Sequence, residues 1–399
     1  MEIIGNNFFC NLSEVHLNTL DGKNLNGLRD AFKAAGLIAA VLLNDKFPDA
    51  RYQKSRELDP IVGVSFTGLF DFFVNLFGES WLRWWEGGRE EYSDRDFIQL
   101  KDLENWIETF PDEIVEIIND WNKSQGKFAI KHPGVCDGLL FKALEEFYLT
   151  FFKDEAHKAV WEYCDAHSLK RPNRCTTVQP SGTKSLLTGA SPGWHPPKAA
   201  RFIRRITFGR DDAVALACMD YGYNIIPSQS CKDSEGNLLN DPFHPLTTEW
   251  LVEIPTKTVW ADNTTNEVDI SKFSVNAQFD FYLQVQNYYA THNTSATLEI
   301  RQEEIGEYAQ LLYQNIQKCG GYSSAALLAR FDGGETFPRL PFEPISKEKY
   351  DELWAGVLAR RKNSSFDELL QARLKNVEIE DSQVGPAGCD SDKCLMPLS

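Results

Sequence analysis

The side chains best suited to redox chemistry lie near the two ends of this sequence. Glu2 and Cys10 fall in an opening stretch, Met1 to Val15, that sets a carboxylate and a thiol among apolar, small and amide residues. Cys389 and Cys394 lie in a Gly-, Pro- and Asp-rich stretch, Asp381 to Ser399, with little to bury, which reads as a mobile tail. Two thiols on such a tail can exchange with a disulfide elsewhere, because a thiolate attacks a disulfide sulfur directly. About twenty flexible residues reach roughly 25 Å, and tethering holds the local thiol concentration on the order of millimolar. The alternatives are a metal site or two incidental cysteines. A metal would want further ligands, and no histidine occurs in the last hundred residues.

A second constellation runs from Gln179 to Leu187, where a β-branched, strand-like segment (Arg174 to Gln179) meets Pro180-Ser181-Gly182-Thr183-Lys184-Ser185. A tight turn opening a helix could cradle an anion. Helix-start N–H groups point outward, Gly182 lets a ligand approach the backbone, Ser181 and Thr183 can cap or donate, and Lys184 adds charge. A plain capped helix is the competing reading, since the P-loop spacing is missing. The basic residues Lys198, Arg201, Arg204, Arg205 and Arg210 read as a solvated helix face, with a phosphate-facing patch as the alternative. His195 reads as a packed loop residue, and Tyr288-Tyr289 as one in-facing and one out-facing strand residue. Cys136, Cys164, Cys175, Cys218, Cys231 and Cys319 read as core or incidental cysteines.

These groups need elements to position them. Leu25, Leu28, Phe32, Ala35, Ala39 and Leu42 recur at helical spacing. Asp59 to Gly68 reads as a buried strand ending in a small-residue turn, and Leu69 to Phe77 as a helix. Residues 80–125 suggest surface helices, and a long helix is expected from about Val135 to Ser168. From Ser230 to Asn293 the pattern is one of turns and short strands, such as Trp250 to Ile254. A strand at Ala296 to Ile300 and a helix at Glu303 to Ile316 follow, with a further helix at Lys347 to Arg361 and charged sequence to Glu380.

The totals narrow the classes. A net charge of -17 argues against a nucleic-acid surface, which needs clustered Lys and Arg. Apolar runs such as Gly36 to Leu43 are too short to cross a bilayer. Nine cysteines in 399 residues are not a secreted disulfide framework, so a reducing cytoplasm is expected.

Together these pieces resemble the C-terminal part of the catalytic chain of ribonucleotide reductases, in particular the adenosylcobalamin-dependent (class II) ribonucleoside-triphosphate reductases. The resemblance is carried by Glu2-Ile3-Ile4 with Phe9 to Val15, by Asp59 to Gly68, by Thr176 to Thr183, by Ser191 to His195, and by Cys389 and Cys394. Each motif is weak alone; five in the right order are specific.

The resemblance implies a thiyl radical that takes the ribose 3′ hydrogen, with Glu2 handling the 3′ hydroxyl proton. Cys10 matches one member of the dithiol that reduces the 2′ carbon. Cys389 and Cys394 match the tail pair that re-reduces it and passes the oxidation to thioredoxin. Pro180, Ser181, Gly182, Thr183, Lys184 and Ser185 match the loop that holds the substrate phosphates. The implied fold is the C-terminal half of a ten-stranded α/β barrel over residues 1–340, followed by a helical segment at 341–380 and a redox tail at 381–399. Burial in a barrel centre would raise the pKa of Glu2 and Cys10.

The family places the radical cysteine just before the matching glutamate, in an Asn-x-Cys run, which here would precede Met1. Its dithiol partner and the effector region lie in the family's N-terminal half. The chain therefore reads as a fragment that needs an N-terminal partner and is inactive alone. The iron-dependent class carries an adjacent tyrosine pair shortly before its terminal cysteines. Between Gly321 and Ser399 only the isolated Tyr322 and Tyr350 occur, which favours cobalamin. Two alternatives stand: an inactive remnant or thiol-exchange protein, and an iron-dependent large subunit.

Overall fold

A computed structural model describes residues 7–90, 108–120, 133–262, 268–330, 338–362 and 364–375, with side chains of the long helix from residue 138 onward. The chain divides into two compact units, Met1–Ala200 with Thr258–Phe331, and Arg201–Lys257 with Asp332–Ser399.

The first unit is organised by parallel pairing. Strand β1 (Asn11–His16) pairs with β2 (Val62–Thr67) from Asn11↔Val62 to His16↔Thr67. On its other side β2 meets residues 174–178: the Val64 amide donates to the Cys175 carbonyl at 2.8 Å, and the Thr177 amide to the Val64 carbonyl at 3.0 Å. That segment in turn meets 294–295, with the Ser295 amide donating to the Val178 carbonyl at 2.9 Å. The chain continues into β6 (Thr297–Ile300), parallel to the later strand β7 (Ala326–Ala329). Five parallel strand segments thus stand side by side in chain order. Among the described residues, β1 and β7 are paired on one side only.

Alternation assigns the two faces. In β2 the sequence Val62-Gly63-Val64-Ser65-Phe66-Thr67 puts three large apolar residues on one side and three small ones on the other. Helix α1 (Leu25–Val41) covers the apolar side. Ser13 Oγ donates to the Ala35 carbonyl at 2.9 Å, and Asn11 Nδ2 to the Ala39 carbonyl at 3.3 Å. The expected stripe of α1 is buried from Leu25 to Ala39; Leu42 lies in the following 3₁₀ turn and is exposed. At Gly36 a Cβ would come within 3.0 Å of the Ala156 carbonyl, so glycine lets α1 approach the long helix closely.

Helix α2 (Ala50–Leu58) precedes β2, and α3 (Leu69–Phe77) follows it, turned by Gly68 at φ 73°. Helix α4 (Glu79–Glu86) belongs to the region read as surface helices. It is instead anchored in the core, because Trp81, Trp84 and Trp85 are fully buried. The long helix is α5 (Pro133–Ala166).

The second unit holds β3 (Arg201–Gly209), helix α6 (Ala213–Asp220), β4 (Asn224–Pro227), β5 (Glu249–Lys257) and β8 (Phe342–Pro344), in the antiparallel order β4-β5-β3-β8. Of the arginines read as a helix face, Arg201, Arg204 and Arg205 lie on strand β3 and Arg210 in the turn after it. Arg205 pairs with Glu253 at 2.8 Å and Glu343 at 2.6 Å, cross-strand partners that the local sequence does not show. Lys198, in the first unit, pairs with Glu299.

Residues 230–293, expected to be turns and short strands, include a helix. Val275–Tyr288 is a helix, α7, capped by Ser274 Oγ on the Ala277 amide at 3.1 Å. Tyr288 and Tyr289 therefore close a helix rather than alternate on a strand. Tyr289 is buried, with its hydroxyl donating to the Val64 carbonyl at 2.9 Å. Helix α8 (Ile305–Gln317) leads to β7; α9 (Lys347–Arg360) and α10 (Phe366–Leu374) belong to the second unit.

Candidate active site

Cys10 enters β1 on the small-residue side of the sheet. A Cβ built on Gly63 would meet Leu12 Cδ2 at 2.5 Å, Thr177 Cγ2 at 2.8 Å and Cys10 Sγ at 3.5 Å. Glycine at 63 is thus what leaves room for the cysteine, Leu12 and Thr177 together. Cys10 is half-buried, and burial pushes its thiol up to about 12, with the Arg174 guanidinium opposing. The sulfur stays protonated at neutral pH, a state that can give up hydrogen but attacks poorly.

This protonation predicts slow alkylation. At pH 8 the thiolate fraction of Cys10 lies roughly a thousandfold below that of an ordinary thiol. The greater nucleophilicity of a high-pKa thiolate recovers part of that, leaving a rate roughly a hundredfold lower. Iodoacetamide labelling of the native chain with peptide mapping, with the exposed Cys319 as internal reference, checks this. Equal labelling of the two would contradict it.

Four residues beyond Cys10 and on the same face, Glu14 meets the loop that follows strand segment 174–178. Ser181 Oγ donates to Glu14 Oε2, and Lys184 Nζ lies 3.2 Å from that oxygen. Ser65 Oγ accepts from the Gln179 amide at 3.0 Å and lies 3.4 Å from Glu14 Oε2. Gln179 Nε2 contacts the Ser13 carbonyl at 3.4 Å, and its Oε1 accepts from Lys184 Nζ. Ser181 holds φ 54°, a left-handed conformation uncommon outside glycine and worth noting at a candidate site. The expected helix start at 184 is a single 3₁₀ turn, Lys184–Leu187, so an extended helix dipole does not act here.

The rest of the loop is clasped by the ends of β1 and β2. His16 Nδ1 lies 2.8 Å from Thr188 Oγ1, and Asn18 Nδ2 donates to the Thr188 carbonyl at 3.0 Å. Thr67 Oγ1 donates to the Ser191 carbonyl and accepts from the Gly193 amide, each at 3.0 Å. Buried Asp71 accepts from the Ser191 amide at 2.6 Å and from Trp260 Nε1 at 2.8 Å; burial pushes its carboxyl up, against those bonds. His195 is spent on packing. Nδ1 lies 3.1 Å from the Pro192 carbonyl and Nε2 accepts from the Thr297 amide at 3.0 Å, which requires a neutral ring; burial pushes it down to about 4.

The structure thus brings Cys10 and the loop 180–185 to one face of the β1–β2 pair. Glu2, Cys389 and Cys394 lie outside the described residues. Glu14, Ser65 and Thr177 were quoted from the sequence only as parts of longer motifs, and Gln179 only as the start of the loop, with no role of their own. The signal was available in the alternation of β2, whose small residues mark the side left open for a site. Cys164, Cys175, Cys218 and Cys231 are buried and Cys319 is exposed; the Cys136 side chain lies outside the described residues.

A parallel sheet flanked by helices thus carries a thiol and a hydroxyl-rich loop on its small-residue face. The fold matches the crystal structure of a B12-dependent (class II) ribonucleotide reductase at TM-score 0.60 and 20% identity, covering 94% of this chain and 43% of that one. In sequence the chain is a relative of the adenosylcobalamin-dependent ribonucleoside-triphosphate reductases, matching their C-terminal part. It is 30% identical over 315 residues to the enzyme of Lactobacillus delbrueckii subsp. bulgaricus (78% of this chain, 38% of the relative). It is 28% identical over 253 residues to that of Euglena gracilis (63% and 30%). The chain spans about a third of the length of these curated relatives. No family model matches it.

Proposed function

We propose that this chain forms part of the catalytic site of an adenosylcobalamin-dependent reductase that converts ribonucleoside triphosphates to 2′-deoxyribonucleotides. The observation that carries the reading is the single sheet face shared by Cys10 and the loop 179–185. A thiol held protonated stands beside a loop that presents Ser181, Gly182, Thr183, Lys184 and Ser185. Among the described residues a Cβ at Gly182 would meet nothing within 4 Å, so the backbone there is open to the approach of a phosphate.

In this reading Glu2 takes the 3′ hydroxyl proton while a thiyl radical supplied by sequence outside these residues removes the 3′ hydrogen. Cys10 and a second thiol then give two electrons and two protons. The 2′ hydroxyl leaves as water, the two sulfurs join as a disulfide, and the hydrogen taken from the 3′ carbon is returned to it, which restores the thiyl radical. Cys389 and Cys394 exchange with that disulfide and pass the oxidation to thioredoxin. Adenosylcobalamin supplies the radical when bound to the complete enzyme. None of the residues lining the cavities described in the first unit is assigned to the corrinoid.

The open sheet supports the expected need for a partner. Leu327 and Leu328 on β7, and Phe9 and Leu12 at β1, are about half exposed beside strand edges that lack a neighbour among the described residues. Unpaired edges recruit further strands. The partner assigned to them is the remaining part of the reductase, completing the ten-stranded barrel.

The test is reconstitution. The chain alone should give no 2′ reduction with adenosylcobalamin, a ribonucleoside triphosphate and a dithiol. Combined with the N-terminal part of a relative's catalytic chain, it should give cobalamin-dependent reduction. Reduction by the chain alone, or a strict requirement for a di-iron partner, would overturn the reading.

A further inference from the structure

We propose that Glu14 is a positioning residue that competes with the incoming phosphate for Lys184 while anchoring the loop that receives it. The inference rests on the phosphate reading of residues 180–185 and adds a residue and a regulation to it. The Glu14 side chain is only 5% exposed, yet it lies 3.2 Å from Lys184 Nζ, whose side chain is 45% exposed. One carboxylate oxygen, Oε2, takes the Ser181 hydroxyl and the ammonium and lies near Ser65 Oγ. The other, Oε1, is buried with no hydrogen-bond partner among the described residues.

A buried carboxylate with one oxygen unsatisfied is costly unless something answers it. Here the answer is concentrated on Oε2, so the charge of Lys184 is neutralised from inside. An arriving polyphosphate must draw the ammonium away from Glu14 and bring negative charge close to it. The same carboxylate holds Ser181 at its left-handed φ, which shapes the loop. The two roles are separable. The substitution Glu14→Gln would keep an acceptor for the Ser181 hydroxyl and remove the competing charge, whereas Glu14→Ala would remove both.

The sign of the effect therefore depends on the substitution. With inorganic tripolyphosphate titrated calorimetrically into the full chain at low ionic strength, Glu14→Gln should bind more tightly than the native protein, by roughly fivefold, at the low end for linked sites. Glu14→Ala and Ser181→Ala should bind more weakly, because the loop loses its anchor. In a Lys184→Met background, whose binding is weaker throughout, the gain from Glu14→Gln should shrink, the signature of two coupled residues. A scaffold role alone would not reverse the sign between the glutamine and alanine variants.

If Glu14→Gln binds equally or more weakly while Lys184→Met still weakens binding, the competition is refuted and the phosphate reading survives. If tripolyphosphate binding is indifferent to Lys184→Met, the phosphate reading fails, and this inference with it. Should Glu14→Ala not fold, Glu14→Gln and Ser181→Ala carry the test unaided.

Discussion

Cys10→Ser in the reconstituted enzyme is expected to abolish sustained deoxynucleotide formation, a loss of at least roughly a thousandfold, as when one member of a catalytic unit is removed. Each 2′ reduction consumes two electrons, and two thiols give them by becoming a disulfide. A serine hydroxyl has the size but cannot form the sulfur–sulfur bond, so the second electron has no source. Binding should change little, because the phosphate loop is fastened through Glu14, Ser65 and Gln179 rather than through Cys10. The expected pattern is an intact affinity for the ribonucleoside triphosphate with kcat at background.

The tail cysteines predict a different pattern. Cys389→Ser and Cys394→Ser should each keep a first turnover, spending the dithiol already reduced, and should keep slow cycling with a small dithiol that diffuses to the site. They should lose cycling driven by thioredoxin. Rapid-quench measurement of product per enzyme separates these cases. Sustained thioredoxin-driven turnover by Cys10→Ser at even a tenth of the native rate would remove Cys10 from the electron route.

How far the sequence carried this picture can be traced residue by residue. Leu69 to Phe77 and the strand before it were readable as apolar runs set off by the small-residue turn at Gly68, and nearly every residue of both is buried. Helix α7 was not. Its residues Val275 to Tyr288 alternate β-branched and aromatic types with amides, and Gln278 and Gln284 are buried and hydrogen-bonded rather than turned to solvent, so no apolar stripe appears. The arginines of β3 were misread for a related reason. A run of positive charge looks solvated until the acids that meet it are known, and these come from Glu253 and Glu343, far along the chain. Cys10 and the loop at 180–185 were each legible as chemistry. That they share a face depends on the parallel register of β1, β2 and residues 174–178, which no local pattern encodes. Glu14 was missed because its meaning comes from Ser181 and Lys184, about 170 residues away.

The same lesson of remote partners gives the largest expected effect on stability. Arg89 sits at the end of α4 with no exposed side-chain surface, and both of its terminal nitrogens donate to Glu145 of α5 at 2.9 Å. It also reaches Asp280 at 3.1 Å and Gln284, both on α7. The guanidinium lies over Trp84, Trp85 and Phe281, at 4.2, 4.8 and 4.7 Å from the ring centroids. One charge therefore ties three helices together at the aromatic core. Arg89→Met removes it and strands Glu145 in that core, whereas Asp280 keeps Lys142 at 2.8 Å. Breaking a fully buried pair from one side costs about 3–5 kcal/mol, because the remaining charge has lost its compensation. The urea midpoint of the full chain should fall accordingly. If the cost is the stranded charge rather than lost packing, neutralising Glu145 should recover most of it. Glu145→Gln suits this, since it keeps an acceptor for Trp81 Nε1, which donates to Glu145 at 2.7 Å. The double variant Arg89→Met with Glu145→Gln is thus expected to be more stable than Arg89→Met alone, by more than half of the loss. A double variant no more stable than the single one would place the effect in the packing of Arg89 against the three rings instead.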